Sequence, residues 1–469
     1  MDKNVVGADK YVLGVDIGTT SVKVVLLEQR SRSISACCSL PTAADVAENH
    51  SGLQTHEQET GSIISTLNQC VALLPRDQLL RVSSIGVSGQ MHGVVLWKPK
   101  TGCDWQNRDF FVVKDTSRLV TWQDGRCSSH FLSSLPTPNS HLAVATGFGC
   151  ATIFWYLRNR PEFLSDFSVA GTIQDYVVCM LCGLDRCVMT PHNAASWGFF
   201  NTTTSQWNTE ILSEAGFPLV LLPECVGAGG RAGHTVSDWH GIPAHTPVGA
   251  ALGDLQCSVY ACMTAQTDAV LNISTSAQLT YAMPGDFRPP DAPVSGSAVS
   301  YFPFFDESYL AVAAALNGGN ALATFVEMLS SWMRDLGVEV SGGDSLLYDK
   351  LIGCALSQQH SDLVVSPALL GERHHPQLRG AVANISAGNL SLGHVIRALC
   401  RGILDNLTSM MPVVLLQEAG VRRVVGSGSA LSCNAVLREE AERALHLPLE
   451  YGKTADSAVG VAMVVCDRL

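Results

Sequence analysis

The sequence is poor in charge: Asp, Glu, Lys and Arg make up 15% of it, the net charge is −12, and no run is rich in Lys or Arg. That balance argues against a nucleic-acid or anionic-membrane partner, both of which demand a basic face. Long apolar runs are also missing. None approaches the roughly 18–20 residues needed to span a membrane. Met1 to Lys10 carry charges and no apolar core of a secretory leader, so a cytosolic protein is expected. The 16 cysteines are then expected to stay reduced and to pack as small apolar residues. Cys179 and Cys182, with Cys187 nearby, lack a second close pair of ligands for zinc and read as buried helix cysteines. What is abundant is apolar content, 46% of 469 residues, enough for two globular domains.

The stretch Tyr11 to Leu27 reads as strand, turn, strand. Its two arms are almost continuously apolar, as buried strands are. Between them lie Asp16, Gly18, Thr19, Thr20 and Ser21. An acid for hydrated Mg2+, a Gly for close backbone approach and hydroxyls for phosphate oxygens are the parts of a polyphosphate site. An ordinary β-turn is the alternative at this point.

Further along, Thr55 to Leu74 has helical apolar spacing and ends at Pro75, and Val82 to Val87 is a strand running into Gln90, Met91 and His92. A surface loop is expected around Thr42 to Ser51, a Gly-rich loop at Pro223 to Gly233, and another loop at Gly337 to Ser345. A strand within Pro247 to Asp254 arrives at a carboxylate. At Ala269 the opening pattern restarts: strand, hydroxyl turn Ser274-Thr275-Ser276, strand. The turn Asn317-Gly318-Gly319-Asn320 and a long helix over Leu392 to Met411 follow, then Gly426-Ser427-Gly428-Ser429 and a helix beginning at Asn434. Alternating strands and helices give an α/β class with two homologous halves meeting near residue 262. Ligands in such folds sit where strands end.

Several strand-end groups carry chemistry. Phosphorylating an alcohol needs one acid for the metal and one to take the hydroxyl proton. Asp16 suits the first role and Asp254 the second; a helix N-cap is the structural alternative for Asp254. Gln90, Met91, His92, Trp122, Asp124 and Arg126 offer forked polar groups and an aromatic face, as sugars need. The alternative puts Trp122 in the core and makes Asp124 and Arg126 a surface pair worth little. Gly426, Gly428 and Ser429 before a helix could cradle a nucleotide. The small residues of Ala455 to Ala462 either approach an adenine or pack a helix tightly on a sheet.

These stretches together resemble the FGGY carbohydrate kinases of the actin, hexokinase and Hsp70 ATPase superfamily. Val15 to Lys23 resembles the first phosphate motif, Gly86 to Gly93 the sugar loop, and Leu252 to Asp254 the catalytic-base motif. Ile273 to Ser276 resembles the second phosphate motif, and Gly426 to Asn434 with Ala455 to Gly460 the adenosine segments. Within the family, Val120 to Ser129, Ala145 to Trp155, Asn193 to Gly198 and Leu370 to Arg373 are similar to the branch acting on a seven-carbon ketose.

The resemblance implies two ribonuclease H-like domains around an active cleft, 1–262 and 263–469. It implies ATP and Mg2+ as cofactors, a small sugar as partner, and a product entering the pentose phosphate pathway. Asp254 would be the base and Asp16, with Asp254, would face the metal. Gly18, Thr19, Thr20, Lys23, Thr275, Gly319, Gly426, Gly428, Ser429 and Asn434 would hold the nucleotide. The sugar would meet Gln90, Met91, His92, Trp122, Asp124, Arg126 and Gln256. Departures exist: Leu255 stands where relatives place Asn or Gln, Pro191 where many carry Asp, and Thr152 where a Lys is common. A pentulose is the alternative substrate. A non-enzymatic sugar sensor on the same fold would be expected to have lost Asp16 or Asp254, and both are present.

Overall fold

The computed structural model describes residues 9–46, 54–338, 343–452 and 456–469. Two mixed sheets organise it. In the first, Tyr11–Ile17 pairs antiparallel with Ser21–Glu28, which pairs antiparallel with Ile34–Pro41. On its other side Tyr11–Ile17 lies parallel to Val82–Gly89, which lies parallel to Pro247–Gly249. In the second, Asp268–Ile273, Ala277–Ala282 and Tyr309–Ala315 form the antiparallel series, with Arg423–Ser427 and Leu449–Glu450 added in parallel. The two sheets repeat one strand order, as the restart at Ala269 implies. Each adds an outer strand, Arg231–His234 in the first and Val299–Pro303 in the second.

Both hairpins form because their strands are apolar on both faces and helices cover them. Leu13, Val15, Val22 and Val24 meet Ile63, Leu67 and Val71 of the helix Thr60–Ala72 in the first core. Leu271, Leu279 and Ala313 meet Ile396, Ile403 and Leu407 of Leu392–Met410 in the second. The sixteen cysteines are free thiols, and Cys179 and Cys182 lie buried in the helix Ile173–Cys182.

Two expectations change, and a third lies partly outside the described residues. The Gly-rich stretch read as a loop ends in the strand that begins at Arg231. A helix, Gly343–Leu356, starts inside the second expected loop, whose residues 339–342 lie outside the described set. The expected loop around Thr42 lies partly outside it, at 47–53. The strand Ile34–Pro41 was not expected at all. It is half-exposed and rich in Ser and Cys, so it lacks the apolar run that marks its neighbours.

The C-terminal helix Ser457–Arg468 does not stay with the second sheet. It packs on the first, with Ala458, Ala462 and Val465 against Val12, Val25 and Leu27. Small residues allow this. A Cβ on Gly14 would stand 2.0 Å from the Ala458 carbonyl oxygen, and one on Gly460 would stand 1.9 Å from the Cys257 carbonyl oxygen. The described part of the small-residue stretch, Asp456 to Ala462, makes a tight helix–sheet contact. The helix Asp254–Cys262 lies beside it.

Gly460→Ala should cost about 1–3 kcal/mol, the range for overpacking a filled interior. Gly353→Ala, in a helix with nothing near the added methyl, should instead stabilise by about 0.5–1 kcal/mol. Urea unfolding of the two variants measures both.

Candidate functional site

Asp16 lies near the end of the first strand, at a register position shared with Ser88 on the parallel neighbour. Ser88 in turn pairs with Leu252, two residues before Asp254. The topology thus places the acids at the ends of the two strands that flank Val82–Gly89. Ser88 Oγ donates to Asp16 Oδ1 at 3.0 Å. Burial, then repulsion from Asp254 and Asp456, pushes the Asp16 carboxyl up to about 7 despite that bond. Burial lifts Asp254 to about 6, against the pull of the Leu255 N–H, which donates to its Oδ1 at 2.7 Å.

Asp456, within the segment that the sequence reading gave to adenosine, is a third acid beside them. It caps the C-terminal helix by accepting from Ala458 and Val459 N–H groups. Its other oxygen pairs with Lys23, which sits directly across the hairpin from Asp16. The structure therefore commits the Lys23 ammonium to Asp456, where the sequence reading had it on phosphate. Asp16 is repelled by both Asp254 and Asp456, while no group of three or more His, Cys, Asp or Glu side chains among the described residues is placed to hold a metal ion by itself. Two carboxylates, Asp16 and Asp254, suit an ion such as Mg2+ that keeps several of its waters and takes its other ligands from phosphate.

The opening hydroxyl turn joins the sugar loop. Thr19 Oγ1 donates to Gln90 Oε1 at 3.3 Å and accepts from Trp122 Nε1 at 3.0 Å. Gln90 is buried and also donates to Gln58 Oε1 at 3.1 Å. Trp122 is not core: 37% of it is exposed, enough to offer a ring face. Thr20 is exposed, and Gly18 closes the turn through its N–H to the Ser21 carbonyl at 3.0 Å.

His92 has φ of 77°, a left-handed conformation that a non-Gly residue adopts only when its surroundings impose it. Two contacts do so: its ring stacks on Phe148 at 4.5 Å, and Nδ1 lies 2.9 Å from the Ser196 carbonyl oxygen. A carbonyl only accepts, so Nδ1 carries the proton and Nε2 is left as an acceptor. Burial holds the imidazole down at about 4, so it is neutral near pH 7. The Arg373 guanidinium of the second half adds to that depression, which places its charge on the sugar-loop side. Met91 is buried, with its sulfur against Gly253.

Asp124 and Arg126 are neither sugar-facing nor a surface pair. Asp124 is fully buried and accepts from the His56 N–H and from Arg126 N, Nε and Nη2 at 2.8–3.0 Å. Arg126 reaches on to Tyr156 Oη at 2.8 Å and Glu57 at 2.6 Å, and its guanidinium lies over the Trp155 and Tyr156 rings. This network anchors the loop that carries Trp122. Gln256 is also buried, and its Nε2 donates to the Pro303 carbonyl of the second sheet at 3.0 Å. It joins the two halves.

The second half builds its own cradle. The Gly319 N–H donates to the Ser274 carbonyl at 2.8 Å, and that of Asn320 to the Thr275 carbonyl at 3.0 Å. Thr275 itself is exposed. Gly428 has φ of 98°, and a Cβ there would stand 2.3 Å from the Ile273 carbonyl oxygen. The Ser429 N–H faces Ser274 Oγ at 3.4 Å. The hydroxyls of Ser274, Thr275 and Ser429 thus meet the start of the helix Gly319–Asp335 at one strand end; the Gly319 and Asn320 N–H groups are already taken by carbonyls, so hydroxyls and the helix dipole are what this end offers a phosphate. Gly426 packs against the Tyr451 ring. Asn434 is fully buried: it caps Ala435–Leu445 through the Leu437 N–H at 3.1 Å and donates to Tyr348 Oη at 3.0 Å. Its side chain is taken by the helix cap, where the sequence reading had it on the nucleotide.

Residues 11–261 match the model of the FGGY family of carbohydrate kinases, N-terminal domain. The chain is 53% identical to the sedoheptulokinase of Homo sapiens and 54% identical to that of Mus musculus. The human alignment covers 98% of both chains and the mouse alignment 97% of both. The xylulose kinase of Bacillus subtilis is 24% identical over 97% of this chain and 87% of its own. Among solved structures, the xylulose kinase of Rhodospirillum rubrum superposes with a TM-score of 0.78 at 19% identity, covering 97% of this chain and 89% of that one. The Plasmodium falciparum glycerol kinase with ADP gives 0.77 at 17%, with the same coverage.

Asp124→Ala leaves Arg126 buried without its main partner. It should lower the unfolding free energy by about 3–5 kcal/mol, the cost of breaking a buried ion pair. Equilibrium unfolding in urea reads that loss directly; a change under 1 kcal/mol contradicts the anchoring role.

Proposed function

The chain belongs to the FGGY family of carbohydrate kinases, and from that membership we propose that it transfers the γ-phosphoryl group of ATP to the terminal hydroxyl of sedoheptulose, giving sedoheptulose 7-phosphate. The observation that supports the chemistry is the pair of buried acids at the ends of the two strands that flank Val82–Gly89, Asp16 and Asp254. The substrate follows the two mammalian relatives, which are more than twice as similar as the xylulose kinase. The pentulose reading is not favoured.

In this reading Asp254 accepts the proton of the attacking hydroxyl. A base performs best with a pKa near the working pH, and burial has already moved this carboxyl to about 6. His92 offers a neutral acceptor to a sugar hydroxyl, and Gln90 and Trp122 shape the rest of the pocket around it. Thr19 is hydrogen-bonded to both, so it serves the sugar side of its turn as well as the phosphate side. The cradle at Ser274, Thr275, Gly319, Gly428 and Ser429 faces phosphates. Asp16, with Asp254 and Asp456 nearby, would hold Mg2+, which would neutralise charge on the transferring phosphoryl group. Asp124, Arg126 and Gln256 support the site from behind. The two halves divide near residue 262, with the C-terminal helix returning to the first. Free thiols throughout are compatible with a cytosolic setting, and no helix among the described residues is long and apolar enough to cross a membrane. The product would enter the pentose phosphate pathway.

Asp254→Asn should cut kcat by at least about a hundredfold while sugar binding persists, the scale of a lost general base. Initial rates and calorimetric titration with sedoheptulose separate the two quantities; near-normal turnover removes Asp254 from the role. An ADP-release assay run side by side with sedoheptulose, xylulose, ribulose and glycerol should give the highest kcat/KM for sedoheptulose. A higher value for xylulose reverses the substrate assignment.

A further inference from the structure

The short helix Pro191–Trp197 touches both loops that carry chemistry. At its C-terminal end the Ser196 carbonyl holds His92 Nδ1 at 2.9 Å, and Trp197 Nε1 donates to the Gly93 carbonyl at 2.9 Å. At its N-terminal end Thr190 Oγ1 donates to the Ala251 carbonyl at 2.8 Å, and Asn193 Nδ2 approaches the same oxygen at 3.4 Å. Ala251 stands three residues before Asp254. One helix therefore spans the distance from the sugar loop to the base.

Thr190 is the N-cap of this helix, and a cap hydroxyl ordinarily accepts an N–H from the first turn. Thr190 makes no such bond. The preceding helix, Ile173–Cys182, shows the ordinary pattern, with Thr172 and Asp175 forming a reciprocal capping box. The hydroxyl of Thr190 is thus diverted from its own helix to the strand that delivers the base.

Gln174 supplies the cross-member. Its Nε2 donates to the Gly89 carbonyl and to Asn193 Oδ1, both at 3.2 Å. Gly89 is the residue before Gln90, and it pairs with Gly253, the residue before Asp254. Thr190, Gln174 and Asn193 are all fully buried. Most of these bonds end on backbone within three residues of Asp254 or beside the loop Gln90 to His92; Asn193 Nδ2 also approaches Asp175 Oδ1 at 3.4 Å.

We infer that Thr190 is a positioning residue for phosphoryl transfer: its hydroxyl fixes Asp254 relative to the bound sugar, with Gln174 and Asn193 bracing the sugar loop against the same strand. The inference rests on the kinase reading above. It assigns to Thr190 the alignment of the base, so its loss should fall on kcat and spare sugar affinity. A displacement of well under an ångström at a reacting pair is enough to slow the step.

The test compares Thr190→Val, which keeps the shape and loses the hydroxyl, with Thr190→Ser, which keeps the hydroxyl. Steady-state kinetics with sedoheptulose and ATP are measured well below the melting temperature of each variant. Thr190→Val should lose about tenfold or more in kcat with the sugar KM within about twofold, the pattern of a misaligned reacting group. Thr190→Ser should keep most of the wild-type kcat. A Thr190→Val enzyme with wild-type kcat, whatever its melting temperature, overturns the proposal; so does an equal loss in both variants. Should Thr190→Val fail to fold, Gln174→Met takes its place. That variant should raise the sugar KM and lower kcat together, and unchanged constants overturn the bracing role. Wild-type enzyme that turns over none of the four sugars signals failure of the kinase reading instead, so the two failures are distinguishable.

Discussion

Close backbone approach is the constraint on which the site depends. The helix that begins at Asp254 and the helix capped by Asp456 lie side by side, touching where Gly460 meets the Cys257 carbonyl. The second of them also lies on the strand that carries Asp16, touching where Ala458 meets Gly14. Acids from positions hundreds of residues apart approach one another because three elements pack with small residues at their points of contact. A wider contact would spread the carboxylates, relieve their repulsion and lower the Asp16 pKa. Burial is the larger cause of the raised Asp16 value and repulsion from Asp254 the next, and both follow from that tight packing.

The supporting shell follows the same economy of position. Around the acids, buried polar side chains are spent on the backbone of neighbouring loops: Gln256 on Pro303, Thr190 on Ala251, Gln174 on Gly89. Asp124 and Arg126 do this with charge, and stacking on Trp155 and Tyr156 encloses the pair. Such bonds fix where a loop runs without dictating its side chains.

Much of the frame was legible in the sequence. Buried strands announce themselves as apolar runs, so the opening hairpin, its restart at Ala269 and the strand ends at Asp16 and Asp254 could be placed directly. The half-exposed strands Ile34–Pro41 and Val299–Pro303 carry no such run. The site was less legible. Asp124 and Arg126 looked like sugar ligands or a surface pair because their true partners, Glu57 and Tyr156, lie on other elements. Lys23 and Asp456 are 433 residues apart, and nothing local in either segment links them. Asn434 carried a readable signal, since Asn before a helix is a common cap. The diverted hydroxyl of Thr190 carried none, because Thr before Pro at a helix start reads as an ordinary cap.

The Thr19 hydroxyl bonds to Gln90 and Trp122, the groups proposed to shape the sugar pocket, and its backbone lies in the turn proposed for phosphate. In that reading the shared atom couples the two binding regions. If a nucleotide draws Thr19 away from Gln90 and Trp122, it alters the free energy of sugar binding. The sugar must then alter nucleotide affinity by the same factor. Cooperativity between the two substrates, a property usually assigned to whole domains, would then pass through one hydroxyl group.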